Sequence, residues 1–121
     1  MIAGIGIDVV DIVRFERSIA RTPGLVDRLF AQSERGRPAR SLAARFAAKE
    51  ALIKALGGHA IIRWHDMQIV QDAEGNPDFL LSGGLADHVR ALGIERVHLS
   101  MSHDAGIASA FVVLESQRDF R

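Results

Sequence analysis

The sequence predicts an α+β fold, and three observations carry that expectation. Residues 41–56 are rich in Ala and Leu and run into Gly57-Gly58, which reads as a helix and its stop. Two pairs of apolar, β-branched runs, 67–71 with 78–81 and 96–102 with 105–115, flank turn-rich links and read as antiparallel strands. Met1 to Val10 is a further apolar run, expected to be a buried strand.

In the first strand Gly4 and Gly6 suit a close approach of backbone. Asp8 is the one charge within the apolar run, and a carboxylate there must be paired or bind a metal to offset its desolvation. Asp11 suits the cap of the helix that follows. The Gly-x-Gly is not a dinucleotide fingerprint, because Val9 stands where the third glycine is needed and no βαβ unit follows.

Residues 12–20 are expected to be a helix with Ile12, Phe15 and Ile19 on one apolar face. Arg14, Arg17 and Arg21 step by three and four and share another face, which is either a solvated basic surface or a dock for an acidic helix. Thr22-Pro23-Gly24 breaks the helix. Residues 25–30 read as a short helical piece with Leu25, Leu29 and Phe30 buried, and 33–38 as a polar loop. Arg28, Arg35, Arg37, Arg40 and Arg45 make this region basic, so nucleic acid is a possible partner class.

On the helix over 41–56, which Ser41 is placed to cap, Leu42, Phe46, Leu52 and Leu56 supply apolar contacts. Glu50 and Lys54 stand at i and i+4, the spacing of an ordinary surface ion pair worth about 0.2–0.5 kcal/mol. Together with Asp8 they also form a different set: two carboxylates and an ammonium group suit a Mg²⁺ ion and a phosphate-bearing substrate. That set points to phosphoryl chemistry.

Asp72 to Pro77 reads as a hairpin turn, 85–92 as a helix closed by Gly93, and Val97, Leu99 and Met101 as the inward side of a half-buried strand. Trp64 and His65 read as structural or partly exposed, and His59 has no neighbour that makes it a metal ligand. His103 lies at the link between the last two strands, where it either serves function or hydrogen-bonds the turn. Ser102-His103-Asp104 is not a hydrolase triad, since adjacent residues on an extended chain face opposite ways.

At 121 residues a single domain over 1–121 is expected. Lys plus Arg and Asp plus Glu are 15 each, so net charge selects no class of partner. The chain has no cysteine, which excludes disulfides and thiolate metal sites and makes a cytoplasmic location the expectation. No apolar run is long enough to span a membrane, and no secretory leader pattern opens the chain.

Three segments match one family in order and spacing: Gly4-Ile5-Gly6-Ile7-Asp8, then Arg45-Phe46-Ala47-Ala48-Lys49-Glu50-Ala51 with Lys54-Ala55-Leu56-Gly57, then Ser100-Met101-Ser102-His103. Over essentially its whole length the chain strongly resembles the holo-acyl-carrier-protein synthase family, the small type of phosphopantetheinyl transferase. The resemblance implies an antiparallel sheet wrapped on a long central helix, in a homotrimer with active sites between subunits. It implies Mg²⁺-dependent transfer of 4′-phosphopantetheine from coenzyme A to a serine of an apo acyl carrier protein, free or part of a fatty-acid synthase, releasing adenosine 3′,5′-bisphosphate. Asp8 and Glu50 match the metal-binding acids. Lys54 and His103 match positions near the coenzyme A phosphates and join the acids as catalytic candidates. Arg45, Gly57, Pro77 and Ser102 fall at coenzyme-binding positions, and Arg14, Arg17 and Arg21 on the helix that docks the acidic carrier. Glu50, a metal-bound water and His103 are all candidates for the base that takes the serine proton. Between Glu34 and Arg45 the chain is several residues shorter than is usual for the family. The competing expectation is a basic nucleic-acid-binding module without catalysis.

Overall fold

The computed structural model describes residues 1–58 and 62–117, so His59 lies outside the described residues. In chain order the elements are β1 (Ile2–Asp11), α1 (Ile12–Arg21), α2 (Leu25–Leu29), α3 (Ala39–Ala55), β2 (Met67–Gln71), β3 (Pro77–Leu81), α4 (Gly83–Ala91), β4 (Ile94–Asp104) and β5 (Ile107–Ser116). The expected α+β mixture is present, and the strands divide into two antiparallel sheets. One has the order β1-β5-β4 and the other is the hairpin β2-β3.

Local chemistry explains most boundaries. The Asp11 side chain accepts from the Arg14 N–H at 2.9 Å and caps α1, as expected. Helix α3 begins two residues earlier than expected, so Ser41 does not cap it. Pro38 precedes the first turn instead, and its carbonyl accepts from the Ser41 and Leu42 N–H groups. A proline just before a helix suits this place because φ is already near the helical value and no N–H is wasted. The β4–β5 hairpin is tighter than the expected link, with only Ala105 (φ 51°) and Gly106 (φ 78°) between the strands. Two successive positive φ values match the right-handed twist of a two-residue hairpin.

Helix α3 lies on the inner face of the three-stranded sheet, against β1 and β5. Leu42, Ala43, Ala44, Ala47, Ala48, Ala51, Leu52 and Ala55 are buried along it, so most of its circumference faces protein. Val112 and Leu114 of β5, Ile69 and Met67 of β2, and Leu85 and Val89 of α4 complete this part of the core. A second cluster gathers Phe15, Leu29, Phe30 and Leu42 where α1 and α2 meet α3. There Phe30, Phe15, Phe46 and Trp64 form a chain of ring contacts with centroids 5.5–6.3 Å apart.

Strand β1 corrects an expectation. Among the described residues it is an edge strand paired only with β5, and Ile5, Ile7 and Val9 are 57–61% exposed on its outer side. Ile7 pairs with Phe111 of β5, which is exposed too, so one face of the sheet is apolar and open in the single chain. The apolar run arose because both faces of β1 are non-polar, one by glycine and the other by β-branched side chains.

Candidate active site

The glycines of β1 explain how the site is assembled. Gly4, Gly6 and Asp8 alternate onto the face that meets α3. A Cβ built on Gly6 would overlap the Ala51 carbonyl, and one on Gly4 the Ala55 carbonyl. Only glycine lets the strand lie directly on the helix backbone. Two residues on, Asp8 therefore arrives beside the Glu50–Lys54 turn of α3.

The Lys54 Nζ donates to Asp8 Oδ1 at 3.1 Å and to the Ile7 carbonyl at 3.0 Å. Among the described residues no Lys54–Glu50 ion pair is formed, so the i, i+4 surface pair is not what this spacing produces. Glu50 instead stands with Asp8 as a second carboxylate. Burial, and then the Asp8 charge, raise the Glu50 carboxyl above its ordinary range, while Lys54 opposes them. Asp8, Glu50, Asp11, Arg14, Phe15 and Phe46 border a cleft of about 310 Å³ between β1, α1 and α3.

Arg45, Pro77, Ser102 and His103 gather in another place. They line a cleft of about 220 Å³, with Arg40 and Ser41 from α3 and Gly75 from the β2–β3 turn. The two clefts share no lining residue. Strand β5 separates them, since Asp8 pairs with Ala110, which pairs with Met101 on its other side. Gly57 borders neither and ends α3 in the left-handed conformation, its N–H on the Lys54 carbonyl at 3.0 Å.

On α1, Arg14, Arg17 and Arg21 are all exposed, and Arg14 also borders the acid cleft. The basic region that follows is weaker than its composition suggests. Arg45 is 1% exposed, and Arg35 is tied to Asp27 at 3.4 Å. The nucleic-acid reading thus loses Arg45 and part of Arg35, while Arg28, Arg37 and Arg40 stay exposed.

Two residues escaped the sequence reading. Glu34 and Lys49 are fully buried and joined at 2.8 Å, with Arg45 3.4 Å from the other carboxylate oxygen. A signal was present: Arg45 and Lys49 stand at i and i+4 on a helix whose other residues are mostly Ala and Leu. Two cations on a buried face demand an anion, but the sequence does not say which of its acids reaches them.

A family model described as the 4′-phosphopantetheinyl transferase superfamily matches residues 4–108. The chain is 64% identical over 117 residues to a holo-[acyl-carrier-protein] synthase of Clavibacter sepedonicus, covering 97% of this chain and 98% of that protein. Among solved structures it is similar to the holo-[acyl-carrier-protein] synthase of Neisseria meningitidis, with a TM-score of 0.87 and 36% identity, covering 96% and 100% of the two chains. The Helicobacter pylori enzyme, solved in complex with coenzyme A, has a TM-score of 0.81 and 32% identity, covering 92% and 99%.

Proposed function

Since the chain belongs to the holo-[acyl-carrier-protein] synthase family of phosphopantetheinyl transferases, we propose that it moves the 4′-phosphopantetheine arm of coenzyme A to a serine of an apo acyl carrier protein, with Mg²⁺ held by Asp8 and Glu50. Adenosine 3′,5′-bisphosphate is the leaving product. The observation that carries this reading is the convergence of Asp8 and Glu50, from a strand and a helix, on one cleft beside Lys54.

The donor set fits Mg²⁺. This ion takes oxygen ligands and commonly one or two carboxylates, with phosphate and water oxygens filling the rest of its shell. The chain would supply the Asp8 and Glu50 carboxylates and leave the rest of the shell to substrate and water oxygens. Burial and then the Asp8 charge raise Glu50, and a divalent cation would offset both. Held there by Asp8 and Glu50, Mg²⁺ would supply positive charge to offset the charge developing on the leaving group.

The chain's own residues do the rest. Lys54, already on Asp8, adds positive charge where the β-phosphate of coenzyme A is attacked. The carrier serine approaches in line, and Glu50 and His103 are this chain's own candidates for the base that takes its hydroxyl proton. His103 lies in the other cleft of the same chain. Phosphoryl transfer runs through a loose transition state, so position and charge matter more than base strength. The Arg45–Ser102–His103 cleft takes a further phosphate of coenzyme A, and Arg14, Arg17 and Arg21 dock the acidic carrier at the mouth of the acid cleft. The open apolar face of Ile5, Ile7, Val9 and Phe111 supports assembly into a homotrimer, which would cover it.

The test is the intact mass of an apo acyl carrier protein after incubation with this protein, coenzyme A and Mg²⁺. A gain of one phosphopantetheine arm is expected, lost with a chelator and lost in Asp8→Ala and Glu50→Ala. A gain that survives both substitutions would move the metal site elsewhere.

A further inference from the structure

The buried cluster of Glu34, Arg45 and Lys49 is not balanced. Glu34 Oε1 accepts from Lys49 Nζ at 2.8 Å and from the Ala31 N–H at 3.0 Å. Its Oε2 accepts from Arg45 Nη1 and from the Ile69 N–H, both at 3.4 Å. Lys49 Nζ also donates to the Leu29 carbonyl at 2.7 Å, and Arg45 Nη1 to the Ile69 carbonyl at 2.6 Å. One carboxylate thus serves two cations, all 0–1% exposed, and one positive charge is left over. Burying an uncompensated charge is costly unless something supplies the missing counter-charge.

The surplus has an address. Arg45 Nη1 is engaged, while Nε and Nη2 are buried with no partner among the described residues. Those two atoms form the side-on fork of a guanidinium, the edge that matches two oxygens of a phosphate. Arg45 lines the cleft that also holds Ser102 and His103. We propose that Glu34 is a positioning residue for coenzyme binding. It clamps Nη1 of Arg45 against the Ile69 carbonyl and leaves the Nε–Nη2 fork for a phosphate in that cleft. Glu34 touches no substrate and acts through Arg45. Lys49 locks the carboxylate in place, so the segment before α3 is fastened to the helix that carries Glu50. The inference rests on the reading that this chain binds coenzyme A.

The experiment compares wild type, Glu34→Gln, Arg45→Met and the double variant in steady-state transfer, with coenzyme A binding followed by calorimetry and folding by thermal melting. Glu34→Gln should raise KM for coenzyme A roughly tenfold, the size of one charge-assisted hydrogen bond. KM for the carrier should stay unchanged and kcat should remain within about twofold. In the Arg45→Met background Glu34→Gln should add no further rise, because its effect passes through Arg45. A Glu34→Gln protein with a lower Tm and an unchanged KM for coenzyme A, or effects that simply add, would overturn the proposal. Should Glu34→Gln not fold, Glu34→Asp keeps the charge but draws it back by one methylene. It should give a smaller rise in KM, and an unchanged KM would equally overturn the idea. Wild type that fails to bind coenzyme A would instead refute the functional reading beneath it.

Discussion

Lys54 Nζ stands 3.1 Å from Asp8 Oδ1, across 46 residues of sequence, and not on the Glu50 carboxylate one helical turn before it. The pairing leaves Glu50 as the less compensated acid of the cleft, raised by burial and by its neighbour. The contact is partly exposed, so it contributes little to stability by itself. Its consequence is to divide the two carboxylates into one tied to an ammonium group and one whose charge Lys54 relieves only in part.

The pH behaviour of Glu50 follows from that division. A carboxyl raised in the folded state binds its proton more tightly there than in the unfolded chain. Its contribution to stability is therefore greatest below the unfolded pKa and is lost as pH rises through the folded value. Glu50→Gln removes the loss. It should melt at a higher temperature than wild type at about pH 8, with a smaller difference at about pH 4, while phosphopantetheine transfer disappears. Adding Mg²⁺ should raise the Tm of wild type at the higher pH and leave Glu50→Gln almost unchanged. Melting curves at both pH values, with and without the ion, check all of this.

The strand-on-helix crossing makes Gly6 one of the least replaceable residues of β1. Gly6→Ala places a methyl group on the Ala51 carbonyl, where only a backbone shift relieves the overlap. We expect a loss of roughly 2–3 kcal/mol and a fall in Tm of about 10 °C. Activity should fall further than stability, because Asp8 moves with the strand. Gly84→Ala is the control: a Cβ there meets nothing within 4 Å, and it should be neutral or slightly stabilising.

The open face of the sheet should govern assembly. Ile7 and Phe111 are cross-strand partners, 57% and 46% exposed. Phe111→Asp should leave the fold of the chain intact by circular dichroism and shift the sedimentation coefficient from trimer to monomer. A wild-type chain that sediments as a monomer would remove this reading of the face.

Charge on α1 should set the affinity for the carrier. Arg17→Glu with Arg21→Glu should raise KM for the acyl carrier protein about tenfold or more, leave KM for coenzyme A unchanged, and flatten the salt dependence of the rate. Steady-state kinetics at two ionic strengths separates this effect from a general loss of activity.

The sequence by itself determined the kinds of element, their order, the cap at Asp11, and the acids and lysine of the candidate site. Those features are local: they depend on periodicity, on turn chemistry, and on a charge standing within an apolar run. It also carried the resemblance to the family that the comparisons show. Only the tertiary structure decided what those residues meet. That the apolar side chains of β1 face outward follows from Gly4 and Gly6 lying on the Ala55 and Ala51 carbonyls of α3, a contact between segments far apart in sequence. That Lys54 turns to Asp8, that Arg45 is buried, and that Glu34 is its counter-charge depend on three-dimensional neighbours that no spacing announces. The separation of Ser102 and His103 from Asp8 likewise depends on β5 lying between β1 and β4. The physical reason is the same in each case. Burial and pairing are set by strand order and helix crossing, and many sequences with the same local pattern are compatible with a different partner for each charge.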